Sequence, residues 1–120
     1  MINDLVYKDL SQRLPYDVVI ECSDGENVKY KCFLTEDILK DIHSKTNDYT
    51  YKPYLRSPED MTEDEDKEFA LLQIETSNFG FLYVANVVNV INWLNVHHFD
   101  YNNLIEKGLA IKVTKENNPY

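Results

Sequence analysis

Glycine is scarce in this 120-residue chain, with only three present. A loop that cradles phosphate through backbone N–H groups needs several glycines close together, so nucleotide-loop chemistry is excluded in practice. Histidine is equally scarce, also three: His43 stands alone in the first half, and His97 adjoins His98. Neighbouring histidines at a helix end diverge by about 100°, and no H-E-x-x-H or Cys/His spacing exists to complete a metal set. G-x-S-x-G is absent, as is the D-x-D-x-D-G pattern of a calcium loop. No apolar run approaches the ~20 residues that a membrane span requires. The opening segment, MINDLVYKDLSQRLPY, lacks a basic flank, an apolar stretch and a small-residue cleavage site. It does not read as a secretory signal, and the default expectation is a cytoplasmic protein.

Basic residues are also in short supply. Twelve Lys and Arg face twenty-one Asp and Glu, for a net charge of −9. The imbalance is uneven: residues 1–56 carry ten acids and eight bases, residues 57–120 eleven acids and four bases. Seven acids fall between Glu59 and Glu68, opposed only by Lys67. Such a chain repels a phosphate backbone, so nucleic acid is an unfavoured partner for a broad face.

What the chain does have is enough for one folded domain, residues 1–120. Hydrophobic residues make up 43% and aromatics 12%, which suffices for a core without staples. The two cysteines, Cys22 and Cys32, read as small hydrophobes in a sheet and fit a reducing compartment. Twelve asparagines and nine tyrosines have no folding rationale.

Leu5, Val6, Leu10 and Leu14 recur near helical spacing, which predicts a helix over 3–14, capped by Asn3 or Asp4 and stopped by Pro15. Residues 17–22 and 28–34 alternate apolar and polar around Asp24-Gly25, which predicts a β-hairpin. Matching the apolar faces pairs Cys22 with Val28, Ile20 with Tyr30, Val18 with Cys32 and Glu21 with Lys29. In that register the two cysteines stand about 13 Å apart, too far for a disulfide. Residues 35–45 suit either a helical turn capped by Thr35 or a kinked third strand. Residues 46–48 read as a loop and 49–52 as extended chain.

Ser57-Pro58 and the Thr62–Glu65 capping box punctuate the start of a helix, and acids suit its positive end. That helix reaches residue 72, with 71–76 open to either helix or strand, and Asn78-Phe79-Gly80 is a break. Over 84–98, Val84, Val87, Val88, Ile91, Leu94 and His98 share one helical face. Trp93 and Val96 lie off that stripe, so the helix has a second buried face or offers an aromatic to a partner. Asp100 is placed to cap the turn after it. Residues 101–106 read as one more helical turn with Gly108 suited to its end, 109–113 as a short final strand, and 117–120 as a frayed tail.

Three stretches, LPYDV at 14–18, KPYLRSPEDMTEDE at 52–65 and WLNVHHFDYNNLIEKGLAI at 93–111, occur together and in order. They resemble a family of small proteins encoded by gut anaerobic bacteria and by their phages and mobile elements. Its members carry LPYGV, IKPYLRP followed by SMTEEE, and DWLNxHHFDYRGLIEKGLA. Here Asp17 stands where Gly is common, Ser57 where Pro is common, and Asn102-Asn103 where Arg-Gly is usual. The missing Arg argues against a functional basic side chain there. The resemblance implies a mobile-element context and an N-terminal β unit, and it implies no activity.

The expected fold is α+β. A small antiparallel sheet or barrel-like half occupies about 15–56, and a helical half about 57–108. The expected function is a non-enzymatic accessory protein that binds another protein, a host factor being the candidate, with no cofactor and no metal. Candidate contact residues are Trp93 with the acids Glu59, Asp60, Glu63, Asp64, Glu65 and Asp66. The alternative is a nucleic-acid or nucleotide-binding module that uses Lys29, Lys31 and Lys52 beside the sheet aromatics Tyr30, Phe33, Tyr49 and Tyr51. In Lys52-Pro53-Tyr54-Leu55-Arg56 the cations could meet a phosphate, but the simpler reading packs Tyr54 and Leu55 and sets Arg56 beside the acidic helix start.

Overall fold

The structure, a computed structural model, describes residues 2–25, 29–44, 49–78 and 83–120, with the side chains of 2, 3, 74–78 and 83–86 left aside. The described residues form four helices and one four-stranded sheet. In chain order these are α1 (Ile2–Arg13), β1 (Val19–Ser23), β2 (Lys29–Phe33), α2 (Glu36–Ser44), β3 (Thr50–Leu55), α3 (Glu63–Asn78), α4 (Tyr83–Val96) and β4 (Ile111–Lys112). The fold is α+β as expected, but two features of the expectation need correcting. The sheet is open, not barrel-like, and it is mixed: β1 pairs antiparallel with β2 and β3, whereas β4 joins β3 in parallel. Helices also interleave with the strands instead of filling a separate C-terminal half.

α1 begins one residue before its expected start and ends as a 3-10 turn, Leu14–Tyr16, that contains Pro15. Asn3 and Asp4 therefore lie inside its first turn rather than capping it. The ambiguous segment 35–45 is a helix, because the Thr35 hydroxyl accepts from the Ile38 N–H and Leu39 and Ile42 supply a buried stripe. Residues 71–76 are helical too, within α3. The expected break at Phe79-Gly80, the loop 46–48 and Val28 fall outside the described residues.

The sheet order is β2-β1-β3-β4. Val18, Ile20, Cys22 and Leu55 face inward, against Val6 and Leu10 of α1, Leu39 and Ile42 of α2, and Leu104 and Ala110. Pro53 has no N–H to give a ladder. It is tolerated inside β3 because the strand changes partner there: β1 pairs with Thr50–Pro53 and β4 with Tyr54 and Leu55.

The hairpin register differs from the expected one by two residues. Ile20 faces Cys32, Glu21 faces Lys31 and Cys22 faces Tyr30. An even shift keeps every side chain on its expected face but changes each neighbour. The cysteines are therefore not 13 Å apart; their Sγ atoms lie 3.2 Å from one another.

The C-terminal segment is a set of turns, not a helical turn, and Asp100 organises it. One carboxylate oxygen accepts from the Asn102 and Leu104 N–H groups and the other from Ile105. Asp17 (φ 55°) and Asn103 (φ 57°) adopt left-handed backbone, where Gly, Asn and Asp are the residues least strained. Nor is the tail frayed. The Tyr120 hydroxyl donates to the Tyr54 carbonyl at 2.7 Å and accepts from the Val19 N–H at 3.0 Å. Its ring stacks on His98 at 3.8 Å.

Candidate interaction surfaces

Arg56, at the end of β3, gathers the elements that carry the acidic segment. Its guanidinium grips Glu65 with two bonds, 2.8 and 2.6 Å, and lies 4.2 Å from the centre of the Phe99 ring. Its main chain exchanges bonds with His98 and Asp100. His97 approaches the same Glu65 carboxylate at 3.3 Å. Arg56 therefore ties β3 to the start of α3 and to the residues that follow α4. Two charge-assisted bonds of fixed geometry make this the strongest kind of carboxylate contact. They hold the Glu65 carboxyl down at about 2, with burial opposing and Thr62 assisting.

Glu65 also closes the capping box. It accepts from the Thr62 N–H at 3.0 Å, and Thr62 accepts from the Glu65 N–H at 3.2 Å. The Ser57 hydroxyl accepts from the Glu59 N–H and caps a separate 3-10 turn, Pro58–Asp60. The Thr62–Glu65 box is thus realised at the head of α3, whereas Ser57-Pro58 opens only the short turn before it, and the pairing of Arg56 with the acidic helix start follows the simpler reading of 52–56.

Trp93 belongs to this assembly rather than to open solvent. Its ring stacks on Phe99 at 5.8 Å and lies 5.4 Å from Phe69 of α3 and 4.3 Å from His97. Its indole N–H donates to Glu68 at 2.9 Å. The ring is half-buried, so α4 has the second buried face, and Trp93 fills it. Val88 and Val96, by contrast, are about half exposed. The inner stripe of α4 includes Leu94 and a buried Asn95, whose amide bonds the Gln12 carbonyl and the Tyr101 hydroxyl.

With Glu65 and Trp93 engaged, the expected acidic surface reduces to Glu59, Asp60, Glu63, Asp64 and Asp66, all exposed. Among the described residues, the ion pairs that reach these acids are Glu63–Lys67 at 3.4 Å and Asp60–Lys112 at 3.7 Å. Both lie in solvent, where such pairs are weak.

The three lysines of the alternative reading share one place, the outer face of the sheet. The register lines up Lys31, Glu21 and Lys52 across β2, β1 and β3, with Lys29 in the next row beside Ser23 and Thr50. Of the expected aromatics, Phe33, 61% exposed, shares this face, whereas Tyr30 and Tyr51 are paired with Cys22 on the other face; Lys31 lies 5.1 Å over the Tyr54 ring. Glu21 stands between two of the lysines and offsets part of their charge.

No family model, curated protein or solved structure matches the chain.

Among the described residues no three metal-ligating side chains come together, and no helix is long and apolar enough to cross a membrane. His97 and His98 diverge: the first turns to Glu65, the second stacks on Tyr120. Burial, helped by the charges of Arg13 and Arg56, lowers His98 to about 4.

One internal site escaped the sequence reading. Arg13 and Asp9, both wholly buried, pair at 2.8 Å, and Arg13 also donates to the Phe99 carbonyl. Their i,i+4 spacing on an amphipathic helix was the available signal.

Proposed function

We propose that this chain is a non-enzymatic accessory protein that binds another protein through the acidic start of α3, and that the bound surface is basic. One observation carries the reading. Arg56, itself packed on Phe99, and Thr62 hold the start of α3 through Glu65, while Glu59, Asp60, Glu63, Asp64 and Asp66 remain in solvent. A fixed row of like charge steers a basic partner and sets its orientation. Leu71, 62% exposed further along α3, adds an apolar contact beside the charges.

A phage or mobile-element origin, with a host factor as the partner, draws its support from the sequence resemblance. It gains a physical argument from Asp17 and Asn103. Both occupy positions where that family carries Gly, and both adopt the left-handed backbone that Gly favours.

The test is affinity capture of the tagged chain from its own host, with mass spectrometry and a nucleic-acid assay of the eluate. A stoichiometric protein is expected. It should be lost when Glu59, Asp60, Glu63, Asp64 and Asp66 become Lys and kept when Lys29, Lys31 and Lys52 become Ala. Capture indifferent to the acid changes would sink the proposal.

A second reading, binding of single-stranded nucleic acid, is favoured by the single face that holds Lys29, Lys31, Lys52 and Phe33. Stacking on an exposed aromatic beside cations suits a nucleobase strand. Salt-dependent anisotropy of a labelled oligonucleotide, abolished by the lysine changes, is its expected signature.

A further inference from the structure

The observed hairpin register sets Cys22 and Cys32 diagonally across β1 and β2 on the inner face. Both thiols are free, and their sulfurs are in hydrogen-bonding contact at 3.2 Å. A disulfide needs about 2.05 Å, so bonding draws the sulfurs together by about 1.2 Å. The strand that must yield is suited to it. Among the described residues β2 is an edge strand, paired only with β1, and four of its five residues are exposed. Access is graded as well: Cys32 is half-buried on that edge, and Cys22 is enclosed behind it, 1% exposed.

We infer that Cys22 and Cys32 form a redox modification site, closed to an intramolecular disulfide by a small-molecule disulfide and reopened by thiols. The Cys32 sulfur, as thiolate, attacks one sulfur of the reagent. The reagent's S–S bond breaks, and one thiolate leaves. The Cys22 sulfur then attacks the Cys32 sulfur of the mixed disulfide, and the second thiolate leaves. Together the two cysteines give up two electrons and two protons, and the reagent disulfide becomes two thiols.

The order of attack follows from surroundings. Burial, reinforced by the bond to Cys32, pushes the Cys22 thiol up to about 12. A buried, protonated thiol is a poor first attacker, so Cys32 engages the reagent and Cys22 resolves the adduct. Diagonal neighbours on a sheet are separated more than directly opposed ones. The bond therefore forms under tension and is readily reduced.

The test exposes the folded chain to oxidised glutathione, quenches with an alkylating reagent, and reads intact mass and mapped peptides. Wild type is expected to give a Cys22–Cys32 link within one chain, two hydrogens lighter and fully reversed by dithiothreitol. Cys22→Ala is expected to stop at a glutathione adduct on Cys32, and Cys32→Ser to stay unmodified at Cys22. Should either variant fail to fold, the wild-type map alone decides. The inference is overturned if wild type also stops at the Cys32 adduct, links only between chains, or closes the bond only in urea.

Discussion

Glu65 and His98 are two residues whose protonation the fold shifts on the acid side of neutrality, and they act over different pH ranges. The Glu65 carboxyl sits at about 2 in the folded chain, against 4.5 ordinarily, chiefly through its bonds from Arg56. A depressed carboxylate contributes stability that is complete above its unfolded value and is lost as pH falls through the folded one. The shift corresponds to about 3 kcal/mol, lost between roughly pH 4.5 and pH 2. His98 is held at about 4 against 6.5, first by burial and then by the nearby Arg13 and Arg56 charges. Its neutral form belongs to the folded state, so the unfolded chain binds the extra proton. Stability therefore falls as pH drops from 6.5 to 4 and changes no further below that through this group. Acid titration of the urea midpoint is expected to show two stages. Glu65→Gln should flatten the lower stage. His98→Asn, a residue that accepts the φ of 61° there, should flatten the upper one. An unchanged slope in either variant would contradict the assignment.

At the scale of elements, the start of α3 is the most literal part of the sequence. Thr62 and Glu65 satisfy each other's N–H groups at the head of α3, and an N-cap of this kind is worth about 1 kcal/mol. Thr62→Ala is expected to lower stability by about that amount. Hydrogen exchange should quicken over residues 63–66 while β1 stays protected. Equal loss of protection across the sheet would show that the cap matters to the whole fold instead. That punctuation made α3 legible, because a cap is a local event between residues three apart, whereas Thr35 alone left 35–45 open between helix and strand. Strand pairing is different. Period-two alternation told which face Ile20, Cys22 and Cys32 occupy, and that was right. Alternation is blind to a slide by two residues, however, since every side chain keeps its face. That slide separated the expected 13 Å between the cysteines from the observed contact. It also moved Glu21 from Lys29 to Lys31. The parallel return of β4 was equally hidden, because two residues carry too little pattern to reveal direction. For the candidate surfaces, the acids of α3 were readable as charge. The inward turn of Trp93 was not, since Phe69 and Phe99, its neighbours in space, lie 24 and 6 residues away along the chain.

Across the whole molecule, the last residue completes a ladder that begins at the nineteenth. β1 and β3 pair from Ser23–Thr50 to Ile20–Pro53, and the next pair in that register is Val19 with Tyr54. The strands part there, and the Tyr120 hydroxyl stands between them, bonded to the Val19 N–H and the Tyr54 carbonyl. Burial pushes this phenol up to about 12, so it remains a donor well into the alkaline range. One side chain thereby bonds two strands and stacks on His98, which lies beside the Arg56 assembly that fixes α3. Removing the hydroxyl leaves two main-chain groups short of a partner, at a cost of about 1–3 kcal/mol. Tyr120→Phe keeps the stacking and is expected to show that loss alone in urea denaturation. Tyr120→Ala should cost more, because the ring packing goes as well. It should also raise the upper-stage midpoint of the acid titration, since His98 becomes better hydrated and its charged form less disfavoured. Equal destabilisation by the two variants would locate the effect in the ring. A phenylalanine variant as stable as wild type would mean that water replaces the hydroxyl between the strands.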